Sequence, residues 1–302
     1  MTRARSIILN ALFLDPDVSG GPETYLRGLA PALRAGRPDA ELAVVTTRRG
    51  GEALAASDWP ARGIRIIVLP CDDGQRVRRQ IAEQIRLPRL AAGRGADILH
   101  SLASVAPIRV PQVAHVITLH DVSFIHHSTF GAVTSWGMRQ VIPRAARRAD
   151  ALITATRAAR DEICATVGLS PEAFTIVPHG VASPAPGADA TATSELRSRY
   201  GLDGARVVLC VGAKRPHKNQ AVLIRALPRL PADIRLVLAG HPEPYEATLR
   251  VLTAELGLGE RVIFADWVSE ADLEGLWSLA DVAAFPTLAE GFGLPVVEAM
   301  AR

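Results

Sequence analysis

The stretch Val282-Ala-Ala-Phe285-Pro286-Thr-Leu-Ala-Glu290-Gly-Phe-Gly-Leu-Pro-Val-Val-Glu298 decides the reading of this chain. A short β-rich run, Val282–Phe285, stops at Pro286. A loop follows, and a helix is expected from Leu294-Pro295, where a proline in the first turn has no N–H partner to lose and its fixed φ suits the helix start. Gly291 and Gly293 let the backbone approach a ligand closely, and the amides around Phe292, Gly293 and Leu294 then point at an anion or hydroxyl. Glu290 stands just before the helix and Glu298 about a turn inside it. Both can face the carboxyl edge of a sheet, where open α/β folds bind ligands. A carboxylate there accepts two hydrogen bonds from a diol. The ordinary alternative is a capping Glu290 and a solvated Glu298, and spacing alone does not decide between them.

Outward from this stretch, short β-rich runs alternate with amphipathic segments, the pattern of parallel α/β units. Strands are expected at 7–13, 41–47, 64–69, 97–100, 113–120, 151–154 and 174–177, then at 207–211, 235–239, 262–264 and 282–285. Helices are expected at 25–34, 76–90, 134–148 and 157–167, then at 219–227, 245–256, 270–279 and 294–301. Between the two series, residues 181–193 consist of Val, Ala, Pro, Ser, Thr and Gly with one charge, Asp189. That is a linker composition. The reading is α/β, with two doubly wound domains: residues 1–180, a linker over 181–200, and residues 201–302.

Composition narrows the function. The 302 residues are 48% hydrophobic and 22% charged, which excludes a disordered tail, a collagen and a small disulfide scaffold. No apolar run approaches the roughly 18 residues of a membrane span. Residues 7–14 read as a first buried strand in preference to a secretory segment, because they run into Asp15-Pro16-Asp17 without a small-residue cleavage site. Three scattered cysteines, Cys71, Cys164 and Cys210, have no metal spacing and read as free thiols of a reducing cytoplasm. No His pair with Glu or Asp has zinc spacing, so no metal is expected.

Of the 34 basic residues only two are lysines, Lys214 and Lys218, four positions apart. Residues 1–180 carry a net +6 and residues 181–302 a net −3. The basic half, with Arg76, Arg78, Arg79, Arg86 and Arg89 as its densest patch, suits an anionic acceptor or peripheral contact with an anionic membrane surface; a solvated arginine-rich face is the alternative. With 5% aromatics and no recognition motif, nucleic acid is not an expected partner.

Two further constellations carry chemistry. Gly212-Ala-Lys214-Arg215-Pro-His217-Lys218-Asn219 leaves a buried strand and opens a helix, the place of a phosphate site. Three cations at a helix N-terminus oppose the macrodipole, and an anion such as a diphosphate would relieve that cost. Lys218 would act as a point charge, with Lys214 or Arg215 as a second clamp. A solvated surface is the alternative. No G-x-G-x-x-G occurs, which argues against a nicotinamide dehydrogenase. In the first half, Gly20-Gly21 opens a helix, and His120 ends a strand. His120 could touch a sugar or accept a proton, oriented by Asp121, or be a structural histidine. His126 and His127 read as loop residues.

Taken together, these residues resemble glycosyltransferase family 4, the retaining enzymes of GT-B fold. The resemblance rests on the segment from Arg261 through the Glu290-x7-Glu298 motif, on Gly20-Gly21, His120-Asp121, Ala149–Thr154, Val177–Val181 and Gly212 with Lys218-Asn219. It implies two Rossmann-like domains facing across a cleft and a nucleotide-sugar donor as co-substrate, with no cofactor and no metal. It places Lys218 on the diphosphate, Glu298 on the ribose and Glu290 on sugar hydroxyls near the anomeric centre. The amides of Phe292 to Leu294 assist, Val268 borders the base, and Gly21 and His120 close over phosphate and sugar. Ala213 stands where the family often has Arg, so Lys214 or Arg215 would substitute. The resemblance also implies one or two further βα units and a C-terminal helix after Arg302, leaving the second domain incomplete here. The expected function is transfer of a hexose, from GDP-mannose in preference to a UDP sugar, to a glycan or lipid-linked acceptor in bacterial envelope synthesis. The enzyme would lie in the cytoplasm or at the inner face of the plasma membrane. A non-catalytic nucleotide-binding fragment is the competing expectation.

Overall fold

Among the described residues, short runs rich in Val, Ile, Leu and Ala become parallel strands; those inside the sheets are largely buried on both faces, while edge strands keep exposed positions such as Val282. A computed structural model describes residues 5–15, 20–71, 76–122, 132–181 and 190–302. The chain divides into two compact units, Met1–Gly180 and Val181–Arg302.

In the first unit the strands are β1 (Ser6–Asn10), β2 (Glu41–Thr46), β3 (Ile64–Val68), β4 (Ile98–Ser101), β5 (Ala114–Thr118), β6 (Ala151–Thr154) and β7 (Phe174–Ile176). They form one parallel sheet of order β3-β2-β1-β4-β5-β6-β7. Its helices are α1 (Gly21–Gly36), α2 (Arg48–Ala55), α3 (Arg76–Gly93), α4 (Ala132–Ala146) and α5 (Arg157–Val167). Leu26 and Ala30 of α1 and Leu54 of α2 pack with Leu9, Leu42 and Val44 on one face. Ala82, Leu87 and Ala91 of α3 pack with Ile8, Ala43 and Leu99 on the other. Ile142 and Ala145 of α4 and Ile163 of α5 join Ile117 and Leu152. The register Ile8↔Leu99, Ser101↔Ile117 and Ile117↔Leu152 puts α3, α4 and α5 on one side of the sheet.

The second unit holds β8 (Arg206–Val211), β9 (Ile234–Ala239), β10 (Val262–Ala265) and β11 (Val282–Ala283) in a parallel sheet of order β10-β9-β8-β11. Its helices are α6 (Thr193–Tyr200), α7 (Gln220–Ala226), α8 (Glu246–Glu255), α9 (Glu270–Leu279) and α10 (Leu294–Met300). Two cores sandwich the sheet, one with Leu209, Val237 and Trp277, the other with Cys210, Leu236 and Leu249.

Two elements depart from the sequence reading. The expected linker over 181–200 contains α6, whose Leu196 is fully buried in the core that holds Leu209, Val237 and Trp277. Gly275 of α9 makes that packing feasible, since a Cβ there would lie 2.4 Å from the Thr191 carbonyl and 2.5 Å from Leu196. The remainder of that linker, residues 182–189, lies outside the described residues. Helix α2 falls between the expected strands at 41–47 and 64–69, where no helix was expected. Thr47 caps it, accepting from the Gly50 amide at 3.3 Å, and the glycines pass close to Thr46 and Val68. Cys71, Cys164 and Cys210 are free thiols. Among the described residues no helix is long and apolar enough to cross a membrane.

Candidate functional site

In the second unit the loops after β8, β9, β10 and β11 gather at the carboxyl edge of the parallel sheet. The two constellations read separately in the sequence meet there. Lys218 Nζ donates to Glu290 Oε1 in an ion pair, with the two side chains 21% and 22% exposed. The loops are stitched around this pair. The Leu288 amide donates to the His217 carbonyl at 2.8 Å, Asn219 Nδ2 to the Pro286 carbonyl at 3.2 Å, and Thr287 Oγ1 lies 3.1 Å from Glu290 Oε1. Lys218 Nζ sits 5.7 Å from the Phe285 ring centroid, within cation–π range. Asn219 takes a left-handed conformation, φ 55° and ψ 30°, which turns the chain from Lys218 into α7. Asparagine tolerates that conformation better than most residues.

Lys214 departs from its expected role as a diphosphate clamp. It is fully buried, and Nζ donates to the carbonyls of Gly240 at 2.5 Å and Ala265 at 3.0 Å, the loop ends of β9 and β10. Glu246 lies 3.5 Å away and Asp266 3.8 Å away. Burial pushes its pKa down, against these two carboxylates. Lys214 is therefore a strut tying three loop ends together. Gly240 completes the knot: with φ 136°, a Cβ there would fall 2.5 Å from the Gly212 carbonyl oxygen. Arg215 is paired with Glu243 at 2.5 Å, half-buried, so it reaches an anion only by exchanging that partner.

Helix α10 starts after Gly293, whose φ of 81° makes it a left-handed N-cap, with no side-chain cap bond and Pro295 in the first turn. Gly293 is buried, and Phe292 and Leu294 are half-buried beside it. Glu298 is half-buried further along α10. Burial raises its carboxyl pKa, with Arg302 lowering it and Glu274 raising it in turn. No hydrogen bond or ion pair joins Glu298 to Glu290 or Lys218 among the described residues. Val268 packs on the core that holds Leu209, Val237 and Trp277, while Trp267 beside it is 55% exposed and meets the His241 ring edge-on at 6.4 Å. The sequence reading passed over that ring pair; a Trp two residues beyond the end of β10 was its only signal.

In the first unit, the carboxyl edge brings His120 into a cluster with Tyr25 of α1, centroids 5.3 Å apart, and His179, also 5.3 Å away. Tyr25 and His179 are 4.7 Å apart. His120 Nε2 lies 2.8 Å from the Leu102 carbonyl. A carbonyl only accepts, so Nε2 carries the proton and Nδ1 is left as an acceptor. The Leu102 carbonyl thus orients the ring, in place of the expected Asp121. Burial depresses the His120 pKa and takes His179 down to about 4, so both imidazoles are neutral at pH 7. His179 was quoted in the sequence only as part of a motif. Gly21 is the exposed first residue of α1, which carries Tyr25 into the cluster. His126 and His127 lie outside the described residues, as does the side chain of Arg76. No group of three metal-ligating side chains converges among the described residues.

Residues 19–183 match the family description "Glycosyltransferase Family 4". The chain belongs to this family. Residues 193–302 of this family 4 chain also match "Glycosyl transferases group 1". Among curated relatives, it is 35% identical over 176 residues to a GDP-mannose-dependent alpha-(1-6)-phosphatidylinositol monomannoside mannosyltransferase of Mycolicibacterium smegmatis, covering 56% of this chain and 46% of the relative. It is 30% identical over 237 residues to the MMP alpha-(1->4)-mannosyltransferase of Mycolicibacterium hassiacum, covering 72% of this chain and 54% of the relative. The chain spans about half the length of these relatives. Among solved structures, Anabaena Alr3699/HepE, crystallised with UDP and glucose, superposes with a TM-score of 0.72 at 21% identity, over 98% of this chain and 78% of that one. That likeness shows the fold, GT-B, and no more.

Proposed function

We propose that the family 4 chain is a retaining hexosyltransferase that uses GDP-mannose, acts on a glycan or lipid-linked acceptor, and works in the cytoplasm at the inner face of the plasma membrane. The observation that carries this reading is the meeting of Lys218 and Glu290 at the carboxyl edge of the second sheet. The names of the mycobacterial relatives support a GDP-mannose donor. In this reading Lys218 binds the diphosphate and Glu290 accepts from sugar hydroxyls. The amides of Phe292 to Leu294 assist, Glu298 accepts from the ribose diol, and Val268 borders the base. Arg215 serves the diphosphate only after leaving Glu243.

The anomeric carbon–oxygen bond to the leaving diphosphate breaks as the acceptor oxygen bonds to the same face, and the departing diphosphate takes the acceptor proton. The charge that develops on the leaving oxygen is met by Lys218, already fixed by Glu290 and the stitched loops, so little reorganisation is needed. His120, neutral and with Nδ1 free to accept, suits a sugar hydroxyl better than proton abstraction. No metal or cofactor enters this scheme; transfer that EDTA abolishes and magnesium restores would contradict it.

Transfer of labelled mannose from GDP-mannose to a membrane glycolipid extract, with a thermal-shift comparison of GDP and UDP, tests the reading. Preferential stabilisation by GDP together with transfer supports it. GDP binding without transfer leaves the non-catalytic alternative standing, and stabilisation by neither nucleotide overturns both.

A further inference from the structure

The loop after β8 carries two cations that reach in opposite directions. In the sheet order β10-β9-β8-β11 its neighbours are the loops after β9 and β11. Lys218 reaches Glu290 on the β11 side, and Arg215 reaches Glu243 on the β9 side. The second pairing is incomplete. Arg215 Nη2 at 2.5 Å and Nε at 3.0 Å both donate to one oxygen, Glu243 Oε1. Arg206, at the start of β8, shows the full fork: its Nε donates to Asp233 Oδ2 at 2.8 Å and its Nη2 to Oδ1 at 3.0 Å. Two parallel bonds to two oxygens are the stronger geometry, and a phosphate offers it as readily as a carboxylate does. The Arg215 and Glu243 side chains are 32% and 22% exposed, and among the described residues no other cation pairs with Glu243.

The backbone around this pair is held by other bonds. The Lys214 amide donates to the His241 carbonyl at 3.2 Å, and Lys214 Nζ, sealed from water, donates to the Gly240 carbonyl at 2.5 Å. The Glu243 carbonyl accepts from the Glu246 amide at 2.8 Å, at the start of α8. Parting Arg215 from Glu243 therefore swings two side chains and leaves both loops where they are. Glu290 differs: it lies 3.1 Å from Thr287 Oγ1 and has a second task in the proposed function, on sugar hydroxyls. Glu243 has no such task there.

We propose that Glu243 is an exchange carboxylate for the nucleoside diphosphate. It holds Arg215 until a diphosphate enters, yields it to the phosphate oxygens, and takes it back as the diphosphate product leaves. Glu243 is thus a positioning residue that acts through Arg215, and its mark is on nucleotide affinity and release. This rests on the donor reading above and deepens it.

GDP and UDP are titrated calorimetrically against the full chain, and release is timed by stopped-flow displacement of a fluorescent analogue of the nucleotide that binds. Glu243→Gln is expected to bind about five-fold more tightly, the scale of a partly exposed ion pair that no longer has to part, and to release the nucleotide correspondingly more slowly. Arg215→Gln is expected to bind about ten-fold more weakly through loss of a charge-assisted contact. In the Arg215→Gln background, Glu243→Gln should change affinity by less than about two-fold, because no pair is left to exchange. Circular-dichroism melts confirm that each variant is folded.

Unchanged or weaker binding by Glu243→Gln overturns the proposal, since Glu243 would then be presenting Arg215 to the ligand or standing outside the site. Equal tightening in both backgrounds also overturns it, as the mark of a general field and not of an exchange. The same pattern across the variants with UDP, and no binding of GDP, would sink the GDP-mannose donor and leave the exchange standing. Binding of neither nucleotide to any variant overturns both readings.

Discussion

The carboxyl edges of the two sheets are built alike and charged differently. Both gather loops after parallel strands, yet the first presents neutral rings (Tyr25, His120 and His179) and the second presents ion pairs (Lys218–Glu290 and Arg215–Glu243). In the first, burial keeps the imidazoles uncharged. In the second, cations are held in place by carboxylates that an incoming anion can replace. The difference teaches a division of labour: neutral acceptors and ring faces suit hydroxyls, while prearranged ammonium and guanidinium groups suit a diphosphate.

The sharpest way to break that comparison is Lys218→Ala. Loss of a preorganised cation on the leaving group is expected to lower kcat by about 1,000-fold, on the scale of losing one strong transition-state contact. Unchanged kcat in a steady-state transfer assay would take the ionic edge out of the chemistry. Lys214→Met probes the other lysine of the same loop. It leaves the Gly240 and Ala265 carbonyls without their ammonium donor and Glu246 with Arg250 as its remaining cation, so a loss of about 3 kcal/mol in urea-unfolding stability is expected. A loss of activity at full stability would return Lys214 to the diphosphate. Glu298→Ala is expected to reduce transfer about 100-fold through the ribose diol, close to 2.7 kcal/mol. Since no hydrogen bond or ion pair joins Glu298 to Lys218 or Glu290 among the described residues, this variant tests how far along α10 the ionic edge extends.

The smallest effect concerns the neutral edge and the sheet beneath it. His100, His115 and His179 are each lowered to about 4, chiefly by burial, against an unfolded value near 6.5. Between those values only the unfolded chain binds their protons, so acidification from pH 6.5 toward 4.5 destabilises the fold. Glu83, raised to about 7 by burial, binds its proton in the folded state first and opposes one of the three. The remainder is a fall of at most about 1.4 kcal/mol per pH unit for each uncompensated proton, read from urea midpoints at pH 7 and pH 5. His179→Gln should flatten the slope by one proton; an unchanged slope would show that His179 is already solvated.

Most strands were legible because parallel strands covered on both faces must be continuous Val, Ile and Leu runs. Helices α2 and α6 were not. Gly50-Gly51 serves a close approach to Thr46 and Val68 that is a tertiary fact, and Leu196 is one apolar residue in a polar helix. At the site, residue types and order gave Lys218 and Glu290 separately, but 72 positions part them, and their pairing depends on β8 and β11 lying side by side. The two lysines could not be told apart in the sequence, since four residues of a loop do not reveal which side chain turns inward. Likewise, the partner that orients His120 is a backbone carbonyl, which no side-chain pattern announces.

The sealing of Lys214 has a practical consequence. Between the two lysines, an amine-reactive label reaches Lys218, 21% exposed, and not Lys214, which is wholly enclosed. Of the two lysines in these 302 residues, the one that a label can reach stands at the proposed donor phosphate. The rate at which it gains that label, followed by mass spectrometry, becomes a direct readout of how much of the site a nucleotide occupies.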